Sequence, residues 1–308
     1  MEPLRLPRFQ RAPSVAPIQL TERDHEIIRL VHRHRLLRSQ QIISLINGSP
    51  QQILRRLQLL YHHGFLERPR AQIDYYHKGG SRSLVYGLGN KGGTFLKQEL
   101  GLSPNQFRFG EKNRSVGRIF LEHALLVSDV MVAIELACRE NGAVRLITDE
   151  QLGLPHKEGE KKQPFNWKVN ISNSLKLGVI PDRFFALEYL DKSGKITRVY
   201  FFLEADRGTM PVIRKNLSQT SFFRKLLAYE ATWSQSIHQQ RFGFHRFRVL
   251  TITTSPERTK SLMAACSQLK RGYGLFLFAD KSILEKPTTI LSALWQTARP
   301  GETVSLLD

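Results

Sequence analysis

Cysteine is nearly absent from this chain, with two residues in 308, Cys138 and Cys266. Both sit in apolar helical patterns without neighbours at zinc spacing, and the ten histidines show no paired zinc spacing either. A disulfide scaffold and a structural zinc site are thereby excluded, and buried free thiols are expected. No apolar run approaches the ~18 residues that cross a bilayer, and no apolar leader follows the amino terminus. The expectation is a cytoplasmic protein without a membrane partner. No Gly-rich loop ends in Gly-Lys-Ser/Thr and no Gly-x-Ser-x-Gly occurs, which excludes P-loop and serine-hydrolase chemistry. Acid is scarce as well: 27 Asp and Glu stand against 46 Lys and Arg, a formal charge of +19 with pI ≈ 10.2. Such an excess favours a polyanion, and nucleic acid is the first candidate; the helices read below make double-stranded DNA the expected partner.

What is present is enough for a packed interior, with 41% hydrophobic residues. A chain this long is expected to form two domains. The basic excess is denser in the first third, where residues 1–112 hold 18 Lys or Arg against 8 Asp or Glu. The grip on DNA is expected there.

Residues 1–19, rich in proline and arginine and without periodicity, read as a flexible basic arm. Residues 20–100 read as a winged helix-turn-helix. Thr21 caps a first helix with Asp24 at its third position, and Ile27, Ile28, Leu30 and Val31 form its apolar face up to about Leu37. Ser39 opens a short second helix, Gln40 to Ile46. Asn47-Gly-Ser-Pro50 turns into a third, with Pro50 at its first position. In that third helix Ile53, Leu57, Leu60 and Tyr61 point inward, while Gln51, Gln52, Arg55, Arg56 and Gln58 face out. Gln and Arg at such positions suit bidentate contacts with adenine and guanine edges. A hairpin from Phe65 to Leu88 with a basic tip makes the wing. Arg70, Lys78 and Arg82 there are expected on phosphates. His32, His34, His62 and His63 are expected on the phosphate side or the surface. Asn90 to Leu100 closes the domain, and 101–114 reads as a linker.

Residues 115–308 read as a second domain. A long apolar helix, Val116 to Glu140, with Ile119 among its buried residues, precedes a strand at Val144 to Thr148. Residues 153–178 are expected to be an exposed insertion, with Trp167 to Ile171 as an edge strand. Two apolar runs flank a turn at Asp191 to Lys195, which reads as a β-hairpin. Helices at 212–217, 221–234 and 256–270 then alternate with strands at 247–253 and 274–279.

The hairpin sets the chemistry. Pro181-Asp182 opens one strand, and Leu203-Glu-Ala-Asp206 ends its antiparallel neighbour. Period-2 geometry points Glu204 and Asp206 together. Three converging carboxylates, Asp182, Glu204 and Asp206, make an oxygen-rich site for a hard divalent cation such as Mg²⁺ or Mn²⁺. The bland alternative is a structural charge cluster balanced by Arg183, Arg198 and Arg207. Lys225 and Tyr229, four residues apart on one helical face, are placed to reach back over the strand ends. Glu122 on the long helix, with Glu135 as the other choice, is a further candidate carboxylate.

Pro-Asp, a hairpin and then Glu-x-acid resembles the PD-(D/E)XK nuclease superfamily. The runs Pro-Asp-Arg-Phe-Phe-Ala-Leu, Phe-Phe-Leu-Glu-Ala-Asp-Arg-Gly-Thr and Lys225-Leu-Leu-Ala-Tyr229 behind the amino-terminal helices resemble the replication-relaxation family of plasmid and mobile-element proteins. The resemblance implies an α+β chain: a winged helix, then a restriction-endonuclease-like αβββαβ domain in which Asp182 and Glu204 are metal ligands. It implies cleavage or nicking during replication or mobilisation, or else an inactive nuclease-like fold serving a replication accessory factor or regulator. The superfamily lysine two residues beyond the glutamate is here Asp206. A homodimer and contacts with replication or mobilisation proteins are further expectations.

Overall fold

The computed structural model describes residues 8–13, 15–75, 83–100, 109–152, 165–191 and 193–308. It is an α+β chain dividing into two compact units, Met1–Val132 and Ala133–Asp308.

In the first unit, α1 (Glu22–His34) starts at a capping box: Thr21 N and Oγ1 both donate to Asp24 Oδ2, at 2.7 and 2.8 Å. The run Leu36–Arg38, expected to trail off α1, is instead strand β1, because Arg35 at φ 69° reverses the chain. Helices α2 (Ser39–Leu45) and α3 (Pro50–His62) follow, the latter capped by Ser49 Oγ accepting from Gln52 N at 3.3 Å. Strands β2 (Leu66–Glu67) and β3 (Val85–Leu88) complete an antiparallel sheet of order β1-β3-β2. Between them a 3-10 turn spans Arg70–Tyr75; the expected wing tip with Lys78 and Arg82 lies outside the described residues. Helix α4 (Asn90–Leu100) comes next. A Cβ on Gly89 would stand 2.3 Å from Gly64 O, so the β3–α4 turn needs glycine there.

Two sequence expectations change here. The last six residues of the expected linker form α5 (Phe109–Arg114), tied to the sheet by Asn113 Nδ2 donating to Leu88 O at 2.9 Å. The described part of the arm is also held. Arg11 Nε donates to Tyr61 O at 2.9 Å, and its Nη2 donates to Glu67 Oε2 at 2.9 Å. Arg114 reaches the same Glu67 oxygen, also at 2.9 Å. Glu67 is 2% exposed, and a buried carboxylate needs such partners.

His62 is buried rather than on a phosphate-facing surface, and its Nδ1 accepts the Ala12 N–H at 3.0 Å. Burial, with Arg68, Arg11 and His63 nearby, pushes its pKa below 6.5; His63 is pushed the same way by burial and by Lys91. A base whose folded pKa is depressed leaves the unfolded chain binding more protons below 6.5, so stability falls as pH falls through that value. Melting temperature is therefore expected to drop between about pH 7.5 and pH 5.5, and less steeply in His62→Asn, whose amide oxygen keeps the acceptor for Ala12.

Helix α6 (Arg118–Asn141) runs from the first unit into the second, so the division falls inside it, downstream of the expected linker. Its interior is apolar as expected, but Ile119 is 71% exposed because it sits in the first turn, ahead of the buried run from Leu121.

The second unit is built on a seven-stranded sheet of order β12-β11-β10-β9-β8-β7-β4. Its strands are β4 (Arg145–Thr148), β7 (Arg183–Leu190), β8 (Ile196–Ala205), β9 (Phe247–Thr253), β10 (Phe276–Asp280), β11 (Trp295–Gln296) and β12 (Thr303–Val304). β4, β7 and β8 are antiparallel; β9 and β10 run parallel to β8. The hairpin turn closes as read, with Asp191 N donating to Lys195 O at 2.9 Å and Gly194 at φ +77°. Among the described residues, strands β5 (Trp167–Asn170) and β6 (Lys176–Val179) pair only with each other. They are no exposed edge: Trp167, Val169, Leu177 and Val179 are buried, and Trp167 Nε1 donates to Thr232 Oγ1 at 2.9 Å. Residues 153–164 of that insertion lie outside the described residues.

Helices α7 (Phe222–Ser234), α8 (Ile237–Phe242) and α9 (Pro256–Cys266) join the even-numbered face of β7 and β8 in one aromatic core around Phe184, Phe202 and Phe276. The expected helix at 212–217 does not form. The carbonyls of Pro211 and Val212 instead accept the N–H groups of Phe222 and Phe223, each at 2.9 Å, satisfying the start of α7. Cys138 and Cys266 are buried free thiols, pushed up to about 12 by burial. No helix among the described residues is long and apolar enough to cross a membrane.

Candidate functional site

The site forms where β7 begins and β8 ends. The register pairs Phe184 with Phe202 and Arg183 with Leu203, so one further step sets Asp182 opposite Glu204. Asp182 N donates to Leu203 O at 3.0 Å, and Asp182 Oδ2 accepts Ala205 N–H at 2.8 Å. The Asp182 carboxylate thus closes the strand end on itself.

Glu204 is 2% exposed. The i, i+4 pair from α7 meets it: Tyr229 OH donates to Oε1 at 2.6 Å, and Lys225 Nζ donates to Oε2 at 2.5 Å. Burial pushes the Glu204 carboxyl up while Lys225 pulls it down and Asp182 adds to the rise. Burial also works against the Lys225 ammonium, but Glu204 and Asp182 hold it above its ordinary value. Burial and the Glu204 charge push the Tyr229 phenol well above its usual range, so Tyr229 stays a donor.

Asp206 continues the β8–β9 ladder, with its N–H on Ile252 O at 2.8 Å, and its side chain points back into the protein. Arg258 on α9 grips it with two bonds, Nε to Oδ2 at 2.7 Å and Nη2 to Oδ1 at 3.0 Å; Thr253 Oγ1 adds a third at 2.9 Å. Arg258 Nη2 also donates to Met210 O at 2.6 Å, binding the following loop. The sequence reading offered Arg183, Arg198 and Arg207 as balancing cations and missed Arg258. A signal was available: a cation in the first turn of a helix opposes the macrodipole and calls for a carboxylate partner. Arg198 is instead paired with Glu188.

The oxygens of Glu204 are both engaged by Lys225 and Tyr229, and those of Asp206 by Arg258 and Thr253. As arranged, the set Asp182, Glu204 and Asp206 does not fit Mg²⁺ or Mn²⁺. Among the described residues no group of three or more His, Cys, Asp or Glu side chains is placed to hold a metal ion. Glu122, the further candidate, lies in the first unit and accepts from Arg118 Nε at 2.8 Å; buried Glu135 accepts from Arg139 Nη2 at 2.6 Å.

The replication-relaxation family model matches residues 28–246, which takes in the second half of α1, the first sheet, the hairpin with its acids, and α7. The chain belongs to the replication-relaxation family. No curated protein and no solved structure matches it. Membership in the replication-relaxation family supports a replication-related function in a mobile element.

The expected DNA-reading residues of this replication-relaxation protein lie on α3 and beside β2. Gln51, Gln52, Arg55 and Arg70 are exposed. Gln52 Oε1 accepts from Arg23 Nη1 at 3.4 Å. Arg56 differs from its neighbours: half-buried, its Nε donates to Asp24 Oδ1 at 2.8 Å and its Nη2 to Asp24 Oδ2 and Gln19 O. Asp24 is 0% exposed, and although burial raises its pKa, the bonds from Arg56 and Thr21 hold it below the usual carboxylate range. Arg56 is thereby occupied within the protein.

Proposed function

We propose that this chain is a DNA-binding accessory factor of replication in a mobile element, with a nuclease-like unit that does not cleave. The observation carrying this reading is the occupancy of the acid site. Glu204 and Asp206 each hold a cation of the chain's own, Lys225 and Arg258, at the positions where a nuclease would leave oxygens open to a metal.

The element order supports assigning both halves of the resemblance. Helix α6, the antiparallel run β4-β7-β8, helix α7 and the parallel neighbour β9 follow the αβββαβ order of restriction-endonuclease-like domains. Helices α1, α2 and α3 with the sheet β1-β3-β2 follow that of a winged helix-turn-helix, in which α3 enters the major groove. On this reading Gln51 and Arg55 address base edges and Arg70 the backbone. Duplex DNA is the partner; a homodimer and replication or mobilisation proteins complete the proposed assembly. The metal-dependent nuclease reading draws on Lys225, whose ammonium lies beside Glu204 where the superfamily lysine would act.

Retardation of duplex DNA by the full-length protein tests the binding reading. Binding is expected to be equal in EDTA and in Mg²⁺. Arg55→Ala is expected to weaken it about tenfold, the loss of one bidentate base contact, with the melting temperature unchanged. Equal affinity of Arg55→Ala and the wild type at moderate salt would overturn the assignment of α3.

A further inference from the structure

The outward face of α3 is not wholly polar. Leu54 is 43% exposed, in the same helical stripe as exposed Gln51 and Arg55 and half-buried Gln58, while Ile53, Leu57, Leu60 and Tyr61 fill the core from the opposite face. A large apolar side chain held in water beside two hydrogen-bonding ones is not required by the packing of α3. The stretch itself is cationic: no acid occurs from Ile27 to Leu66, which holds six arginines and covers β1, α2 and α3. Asp24 and Asp129, acids that reach these elements, are bonded to Arg56 and Arg38 rather than to Gln51 or Arg55. A stripe of Gln, Leu and Arg on a helix that itself carries no acid is complementary to a major-groove floor. There amide and guanidinium groups meet purine edges, and the one apolar ligand offered by a base pair is the thymine C5-methyl group.

We infer that Leu54 is a specificity-determining residue that packs on a thymine methyl group, so that this chain prefers duplex sites with thymine between the bases addressed by Gln51 and Arg55. The inference rests on the proposed α3–DNA contact and adds to it a base identity, read by apolar contact rather than hydrogen bonding. Uracil differs from thymine by that methyl group alone, which makes the contact separable from every polar one.

The test uses the full-length protein and duplexes that the wild type enriches from a random pool, each synthesised once with thymine and once with uracil throughout. The wild type is expected to bind the uracil duplexes about fourfold more weakly, the effect of one buried methyl group. Leu54→Ala is expected to bind the two forms alike, with an unchanged melting temperature because the side chain is exposed. Equal wild-type affinity for both forms, or a thymine preference retained by Leu54→Ala, overturns the role of Leu54 while leaving DNA binding by α3 standing. A wild type that enriches no duplex overturns both. Loss of a dimer in Leu54→Ala by sedimentation would assign the side chain to a second copy of the chain and overturn the inference in favour of self-association.

Discussion

Arg258→Ala is expected to destabilise the second unit by about 3–5 kcal/mol, the cost of stripping the partner from a buried carboxylate. Asp206 is 6% exposed and receives two of its three side-chain hydrogen bonds from that guanidinium, so truncation leaves a buried charge with Thr253 Oγ1 as its remaining partner. The same variant releases Met210 O and loosens the loop that caps α7. Thermal unfolding followed by circular dichroism should show the transition of this unit lowered by about 10 °C. Asp206→Ala combined with Arg258→Ala should cost less than the sum of the single changes, because removing both partners leaves no orphaned charge. Equal melting temperatures for Arg258→Ala and the wild type would show that Asp206 is stabilised by something other than this pair.

The second large effect falls on Arg56. Were it a DNA-reading residue, as proposed for Arg55, Arg56→Ala would lower affinity and leave folding alone. Because it clamps Asp24, which is 0% exposed at the start of α1, Arg56→Ala is expected to destabilise the first unit by about 3 kcal/mol. Thr21 still donates twice to Asp24 and limits the loss. Any loss of DNA affinity should then follow the unfolded fraction. Urea unfolding of Arg55→Ala and Arg56→Ala side by side separates the two roles. A stable Arg56→Ala with weakened DNA binding would return Arg56 to the interface.

Much of the second unit was legible because strand geometry leaves little freedom. Once two apolar runs flank a Gly-containing turn, the register follows, and with it the placement of Asp182 beside Glu204. The i, i+4 spacing of Lys225 and Tyr229 likewise carried them to one carboxylate. That Arg258 needed a carboxylate was legible from its place in the first turn of α9, but not which one, since its contact with Asp206 spans 52 residues and depends on β9 lying parallel to β8. Nor was the inward turn of Asp206, which the period-2 rule places on the correct face without naming its partner.

In the first unit, caps and periodicity located α1, α3 and α4. The arm was misread because composition reports what a segment does alone. Arg11 is ordered by a buried acid, Glu67, that lies 56 residues away. Residues 212–217 have a helical composition, yet two of their neighbourhood's carbonyls serve the start of α7, and that tertiary demand outweighs propensity.

The claim on which the functional reading turns is that Glu204 and Asp206 are neutralised by the chain's own cations. Incubation of the wild-type protein with supercoiled plasmid and Mn²⁺, resolved on an agarose gel, tests it most directly. The expected result is plasmid that is retarded and, after removal of the protein, still supercoiled. Metal-dependent nicking or linearisation that disappears in Asp182→Ala would contradict it.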